Sequence, residues 1–258
     1  MNVVVCIKQV PDTETRIKLT SDSQGIETNG IKWVINPYDE FAIEEAIRFK
    51  EANPDTTVTA VTMGPKSRVN NALLTAMAMG ADDSILINTD SPLDALSTAK
   101  ALAAAIKAEG DFGLVYAGKL AIDGNVAAVP LMVAEVLGIP HASVVNKTDY
   151  ADGSVVASRE IEGGTTETFK LKMPAMVTAN KGLNKPRFAS LPGIMKAKKK
   201  PIKEVSLEDL GINAGEVKTK FTNFEMPPEK EPCKMIDGEV QQQVDELVRL
   251  LQEEAKVL

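Results

Sequence analysis

The chain has 258 residues, enough for one large domain or a domain with an appendage. Hydrophobic residues make up 44% and charged residues 25%, as in soluble globular proteins, and aromatics at only 4% favour an Ala/Val-rich α/β packing over an aromatic-anchored β-sandwich. A net charge of −7 argues against nucleic acid as a general partner, and the two cysteines, Cys6 and Cys233, imply neither a disulfide scaffold nor a metal site.

The N-terminal MNVVVCIKQV enters a strand pattern directly, without the basic flank, long apolar core and cleavage site of a secretory signal. No apolar run approaches the roughly 20 residues that cross a bilayer. The expectation is a soluble, cytoplasmic protein without membrane insertion.

Val3–Ile7 is a short continuous apolar run, as in a parallel strand covered on both faces. Asp39–Ala52 has helical spacing, with Ile43, Ala46 and Ile47 on one face. Thr57–Met63 is a β-branched strand, and Gly64-Pro65 then places proline where a helix begins. Ser67–Met79 (helix, ended by Gly80), Ser84–Ile87 (strand), Leu93–Ala108 (helix, stopped by Gly110), Phe112–Ala117 (strand) and Val126–Leu137 (helix, closed by Gly138 and Pro140) continue the alternation. That rhythm predicts a doubly wound, mainly parallel sheet. Ala142–Asn146, Ser154–Ile161 and Glu167–Met173 are strand-like and joined by Asp152-Gly153 and Gly163-Gly164, which predicts an antiparallel addition. A further strand is read at Ala175–Ala179. From Gly211 the chain turns polar and proline-marked, then ends in an amphipathic helix over Asp237–Lys256. Two parts are therefore expected: an α/β domain over 1–210 and an arm with a helix over 211–258, which either packs on another subunit or folds back on its own core.

In open α/β sheets ligands bind beyond the carboxyl ends of the strands. Those ends here are Cys6–Asp12, Asn36–Asp39, Met63–Pro65 and the run Ala117-Gly118-Lys119-Leu120-Ala121-Ile122-Asp123-Gly124. The last is the best candidate, because two glycines allow close backbone approach and the following helix offers free N–H groups to an anion. Neither G-x-G-x-x-G nor a Walker motif is present, and no Ser, Cys or His sits in a nucleophile or base motif. Asp123 suits a ribose or magnesium and equally a turn. The residues read as a nucleotide-binding protein without catalytic side chains of its own.

Residues 181–202, KGLNKPRFASLPGIMKAKKKPI, put an apolar tip (Leu191, Ile194, Met195) beside Lys196, Lys198, Lys199 and Lys200. On composition alone this is either a docking loop or a solvated lysine run beside a buried turn.

VCIKQVPD at 5–12, INPYDEFAIEEAIRFKE at 35–51, TAMAMGAD at 75–82, AGKLAIDG at 117–124, REIEGGTTETFKLKMPAMVTA at 159–179 and KPRFASLPGIMKAKKKPI at 185–202 occur in order. Together they resemble the beta subunit of electron-transferring flavoproteins over nearly the whole chain. The resemblance implies an adenine-nucleotide alpha-hydrolase-like sheet and a heterodimer in which an alpha subunit holds most of an FAD. It further implies electron flow from acyl-CoA or related dehydrogenases to a quinone reductase or another acceptor. It also implies an adenine nucleotide in this chain, held by Cys6, Asn36, Pro37, Tyr38, Asp39, Met63 and the loop Gly118, Lys119, Leu120, Ala121, Ile122, Asp123, Gly124, Asn125, Val126, Ala127, Ala128 and Val129, with Tyr38 approaching the partner's FAD. The docking surface would comprise Leu191, Pro192, Ile194, Met195, Lys196 and Lys199, with Leu191 as the anchor.

Family members that bind AMP carry Asp-Asp and then Asn-Gln-Thr in that loop, whereas this chain has Asp123-Gly124-Asn125-Val126 and Ala127-Ala128-Val129. Electron-bifurcating members, with a second FAD in place of AMP and oxidation of NADH, resemble Asp-Gly-Asp-Thr-Ala-Gln-Val there. AMP and a second FAD both stay open. Outside the family, a non-redox nucleotide-sensing module has the same sheet, while a hydrolase or ligase acting on adenylates lacks a phosphate-loop constellation.

Overall fold

The computed structural model describes residues 1–258. In chain order the elements are β1 (Asn2–Cys6), β2 (Gln9–Pro11), β3 (Trp33–Ile35), α1 (Pro37–Ala52), β4 (Thr57–Gly64), α2 (Lys66–Met79), β5 (Asp83–Asn88), α3 (Ala95–Ala108), β6 (Phe112–Gly118), α4 (Val129–Leu137), β7 (His141–Val145), β8 (Lys147–Ala151), β9 (Ser154–Glu160), β10 (Thr166–Lys172), β11 (Ala175–Ala179), α5 (Leu191–Ala197), β12 (Lys203–Ser206) and α6 (Val240–Glu253). Seven strands form a parallel sheet in the order β12-β5-β4-β1-β6-β11-β7.

The period of two along β1 divides the core. Val3 and Val5 join one apolar layer with α1 and α2, while Val4 and Cys6 join the opposite layer with α3 and α4. Both faces of β1 are therefore covered, which explains its uninterrupted apolar sequence. Each fully buried valine contributes about 2 kcal/mol. Along α3, Ala99, Ala101, Ala103 and Ala105 are buried, and their small size lets the helix approach closely. Asp94 caps α3 by accepting from the Ser97 N–H at 2.8 Å. It also accepts from the Lys218 N–H at 2.7 Å, and these bonds hold its carboxyl down to about 2.

Several elements differ from the sequence expectation. The strand at His141–Val145 does not begin the antiparallel set. It pairs parallel with β11 at the edge of the main sheet, while β8, β9 and β10 form a separate three-stranded antiparallel sheet. The helix expected from Val126 begins at Val129, because Asn125 and Ala127 have left-handed φ of 52° and 55°. The β2–β3 hairpin, the short helix α5 and the edge strand β12 lack the length or periodicity that would mark them in sequence.

A polar network seats the small sheet on the large one. Glu45 of α1 is buried, and its Oε1 accepts from Thr148 Oγ1 at 2.6 Å and from the Tyr150 hydroxyl at 2.9 Å, both on β8. Tyr150 in turn meets the hydroxyl of Tyr116, on β6, at 2.6 Å. Glu45 Oε2 accepts from Asn184 Nδ2 at 2.9 Å.

Chain contacts divide the molecule into two compact units, Met1–Lys18 with Glu27–Phe221, and Leu19–Ile26 with Thr222–Leu258. Within the second, Phe224 N–H donates to Ser23 O at 2.9 Å, and α6 is closed by a Glu239/Gln242 capping box. No residue of α6 is buried, and its stripe of Val240, Val244, Leu247 and Val248 is exposed.

Glu45→Ala leaves two hydroxyls and an amide without their acceptor, and breaking such buried networks costs about 3 kcal/mol. A clear fall in the urea midpoint is expected, and a midpoint indistinguishable from wild type would contradict the network's role.

Candidate functional site at the sheet's carboxyl edge

The chain runs from β1 outward through β4 and β5, then returns to place β6 on the other side of β1. The carboxyl ends of β1 and β6 thus mark the point where strand order reverses, the position where α/β sheets hold ligands. Cys6 and Gly118 end those two strands, and Met63 lies near the end of β4, the other neighbour of β1.

Asn36 and Asp39 organise this edge. Pro37 opens α1, its fixed φ suiting the first helical turn. The buried Asn36 before it does not cap its own helix. Its Nδ2 donates to Leu120 O and to Asp39 Oδ1, each at 2.8 Å, and its Oδ1 accepts from the Ile122 N–H at 3.2 Å. Asp39 accepts from the Lys8 N–H at 2.6 Å and the Gly118 N–H at 2.9 Å. Asn36, just before α1, and Asp39, in its first turn, therefore hold the chain leaving β1 and the chain leaving β6.

Burial pushes the Asp39 carboxyl up to about 7, against the pull of its three N–H donors. Burial, followed by the charge of Asp39, pushes the Cys6 thiol up to about 12. Cys6 is accordingly held as the neutral thiol, buried at the end of β1.

Gly118 is demanded by proximity. A Cβ there would overlap Asp39 Oδ1 and Tyr38. Lys119 N–H donates to Ala179 O at 2.9 Å, and its ammonium stands 4.8 Å from the Tyr38 ring centre. Farther along the loop, Asp123 pairs with Lys8 at 2.7 Å, and Asn125 N–H donates to Ala121 O at 2.9 Å. Ala128 precedes α4 without a side-chain cap, and Val126 is 64% exposed. The structure thus joins Cys6, Asn36, Asp39, Gly118, Leu120 and Ile122 at one edge, with Met63 on the adjacent strand, while Asp123, Gly124, Asn125 and Val126 stand outward.

A second candidate surface is the tip around α5. Ser190 Oγ accepts from the Gly193 N–H at 3.1 Å, and Pro192 lies in the first turn. A Cβ on Gly193 would overlap the Ala78 carbonyl oxygen, so the helix rests directly on the end of α2. Arg187 pairs with Glu44 at 2.8 Å and Glu51 at 2.6 Å on α1, and Lys200 Nζ donates to Asp82 O at 2.7 Å. Between these ties Leu191 is 77% exposed and Met195 63%, with Ile194, Lys196 and Lys199 also exposed. The sequence reading omitted Phe188, which is 95% exposed on the same segment. Its signal was a lone aromatic in a proline-marked stretch.

Gly118→Ala is expected to lower the melting temperature and to abolish retention of any ligand at this edge, since the Cβ overlaps a backbone-holding carboxylate. Differential scanning calorimetry checks the first part and analysis of ligand released on denaturation the second. A variant with wild-type melting and ligand content would contradict the packing described.

The "Electron transfer flavoprotein domain" family model matches residues 25–210. The chain is 42% identical to an electron transfer flavoprotein subunit beta of Bacillus subtilis (strain 168), with both chains covered completely. It is 39% identical to a mitochondrial subunit beta of Arabidopsis thaliana, again over both whole chains. A subunit beta of Syntrophomonas wolfei is 37% identical, over the whole of this chain and 98% of the relative. With the parallel sheet, the reversal point between β1 and β6 and a family match spanning most of its length, the chain belongs to the electron transfer flavoproteins, as a beta subunit.

Proposed function

We propose that this beta subunit pairs with an electron transfer flavoprotein alpha subunit and carries electrons from an acyl-CoA or related dehydrogenase to a quinone reductase or other acceptor. It works as a carrier and not as an enzyme. The observation that carries this reading is the joint presence of a built carboxyl edge and an exposed apolar tip on one domain, both fixed to α1. FAD held mainly by the alpha subunit would supply the reversible electron chemistry, and Tyr38, with Lys119 over its ring, would be this chain's approach to it.

Several features of the carboxyl edge support an adenine nucleotide there. Asn36 and Asp39 keep the backbone near Gly118 in place, and the uncharged Cys6 and Met63 lie at or near the ends of the adjacent strands. The left-handed φ of Asn125 and Ala127 is a conformation that a residue such as alanine rarely adopts, and strain of this kind gathers at ligand clamps. Beyond it, the uncapped start of α4 leaves the Val129 and Leu131 N–H groups, with none on Pro130, to meet a phosphate. AMP is one occupant. A second FAD, with NADH oxidation in a bifurcating complex, is the other, and Ala127-Ala128-Val129 in place of Asn-Gln-Thr supports it.

The α5 tip supports docking of the dehydrogenase, with Leu191 as anchor. Lys196 and Lys199 beside it would speed encounter with an acidic patch, an effect that salt weakens. No helix is long and apolar enough to cross a membrane, which agrees with diffusive shuttling; a cytoplasmic site is part of the proposal.

Leu191→Ala is expected to slow electron transfer from the physiological dehydrogenase about 30-fold, from the roughly 2 kcal/mol lost with a hydrophobic anchor, while flavin content stays unchanged. Stopped-flow reduction of the heterodimer by its donor measures this. Unaltered transfer kinetics would remove Leu191 from the docking surface.

A further inference from the structure

Arg68, in the first turn of α2, is half-buried, yet its guanidinium forms no ion pair or side-chain hydrogen bond within the chain. It lies 4.2 Å from the centre of the Trp33 ring, on β3. Its Nη2 stands 3.7 Å from where a Cβ of Gly64 would be, so the guanidinium reaches back over the last residue of β4. That places the cation one residue past Met63, at the carboxyl edge.

The chain leaving β1 ties this position to the loop after β6. Lys8 pairs with Asp123 at 2.7 Å, while Gln9 Nε2 donates to the Arg68 carbonyl at 3.0 Å. The charge of Asp123 is felt at Arg68, but that carboxylate is already engaged by Lys8. Gln9 itself is 6% exposed, and its Oε1 has no donor. Arginine withdrawn from water is ordinarily matched by an anion, because its desolvation is otherwise uncompensated. Here the fork lies on an aromatic face, and the nearby carboxylates of Asp39 and Asp123 are bonded to other groups and form no ion pair with it.

We infer that Arg68 is the phosphate-binding cation of the adenine nucleotide held at this edge, supplying the charge that the Asn125–Val129 side chains do not; this rests on the nucleotide reading above. Its planar fork suits a phosphate in two-point contact, and the Trp33 ring fixes its plane. The residue thus sets selectivity for a phosphorylated nucleotide over its nucleoside.

The test uses the heterodimer with its alpha subunit, stripped of nucleotide and titrated calorimetrically with AMP, FAD and adenosine. Arg68→Gln is expected to weaken whichever phosphorylated ligand the wild type binds by about 10- to 100-fold, the range for a charged hydrogen bond, and to leave adenosine within about twofold. Arg68→Lys, with charge but no fork, should fall between. Equal affinity for the phosphorylated ligand in wild type and Arg68→Gln would overturn the assignment while leaving the nucleotide reading intact. Equal losses for AMP and adenosine, or a variant that no longer holds its alpha subunit, would overturn it in favour of a packing or interface role. Wild type that binds neither AMP nor FAD would overturn both.

Discussion

The structure of the carboxyl edge depends on one close approach, that of the Gly118 backbone to the carboxylate of Asp39. The contact brings the first turn of α1 against the end of β6 and leaves no space for a side chain between them. Because Asp39 also accepts from Lys8, the same carboxylate fixes the exit from β1. Asn36 extends the hold to Leu120 and Ile122. A loop that would otherwise be free to move is tied at several backbone positions before any ligand arrives, and such preorganisation lowers the ordering cost of binding.

Helix α1 serves both surfaces. Its first turn carries the residues that shape the carboxyl edge, and farther along Glu44, Glu45 and Glu51 hold Arg187 and Asn184 in the segment leading to α5. The carboxyl edge and the exposed α5 tip are therefore positioned by one element. Electron transfer falls steeply with separation, so under the proposed function a common helix behind both surfaces would keep the donor geometry constant.

The alternation of strands and helices from Val3 to Leu137 was legible because each element buries a periodic apolar set against the sheet. Ile43, Ala46 and Ile47 are buried as their spacing implied. Glu44 and Glu45, buried beside them, were not legible. Their charge reads as solvated face until Arg187, Thr148, Tyr150 and Asn184 arrive from distant parts of the chain. The start of α4 was missed for a local reason, since helical spacing in sequence does not reveal left-handed backbone at Asn125 and Ala127. At the candidate site, the glycine and the strand ends were visible as a pattern. The partners of Asn36, Asp39 and Arg68 lie up to 86 residues away and became visible only in the fold.

On the proposed function, this chain holds an adenine nucleotide of its own at the reversal point of its sheet, apart from an FAD shared with the alpha subunit. The most direct measurement is the nucleotide content of the co-expressed heterodimer after denaturation, quantified as FAD and AMP per complex. The account predicts two nucleotides: one FAD with one AMP, or two FAD when the second site is flavin-loaded. A stable heterodimer that releases one FAD and nothing else would contradict it.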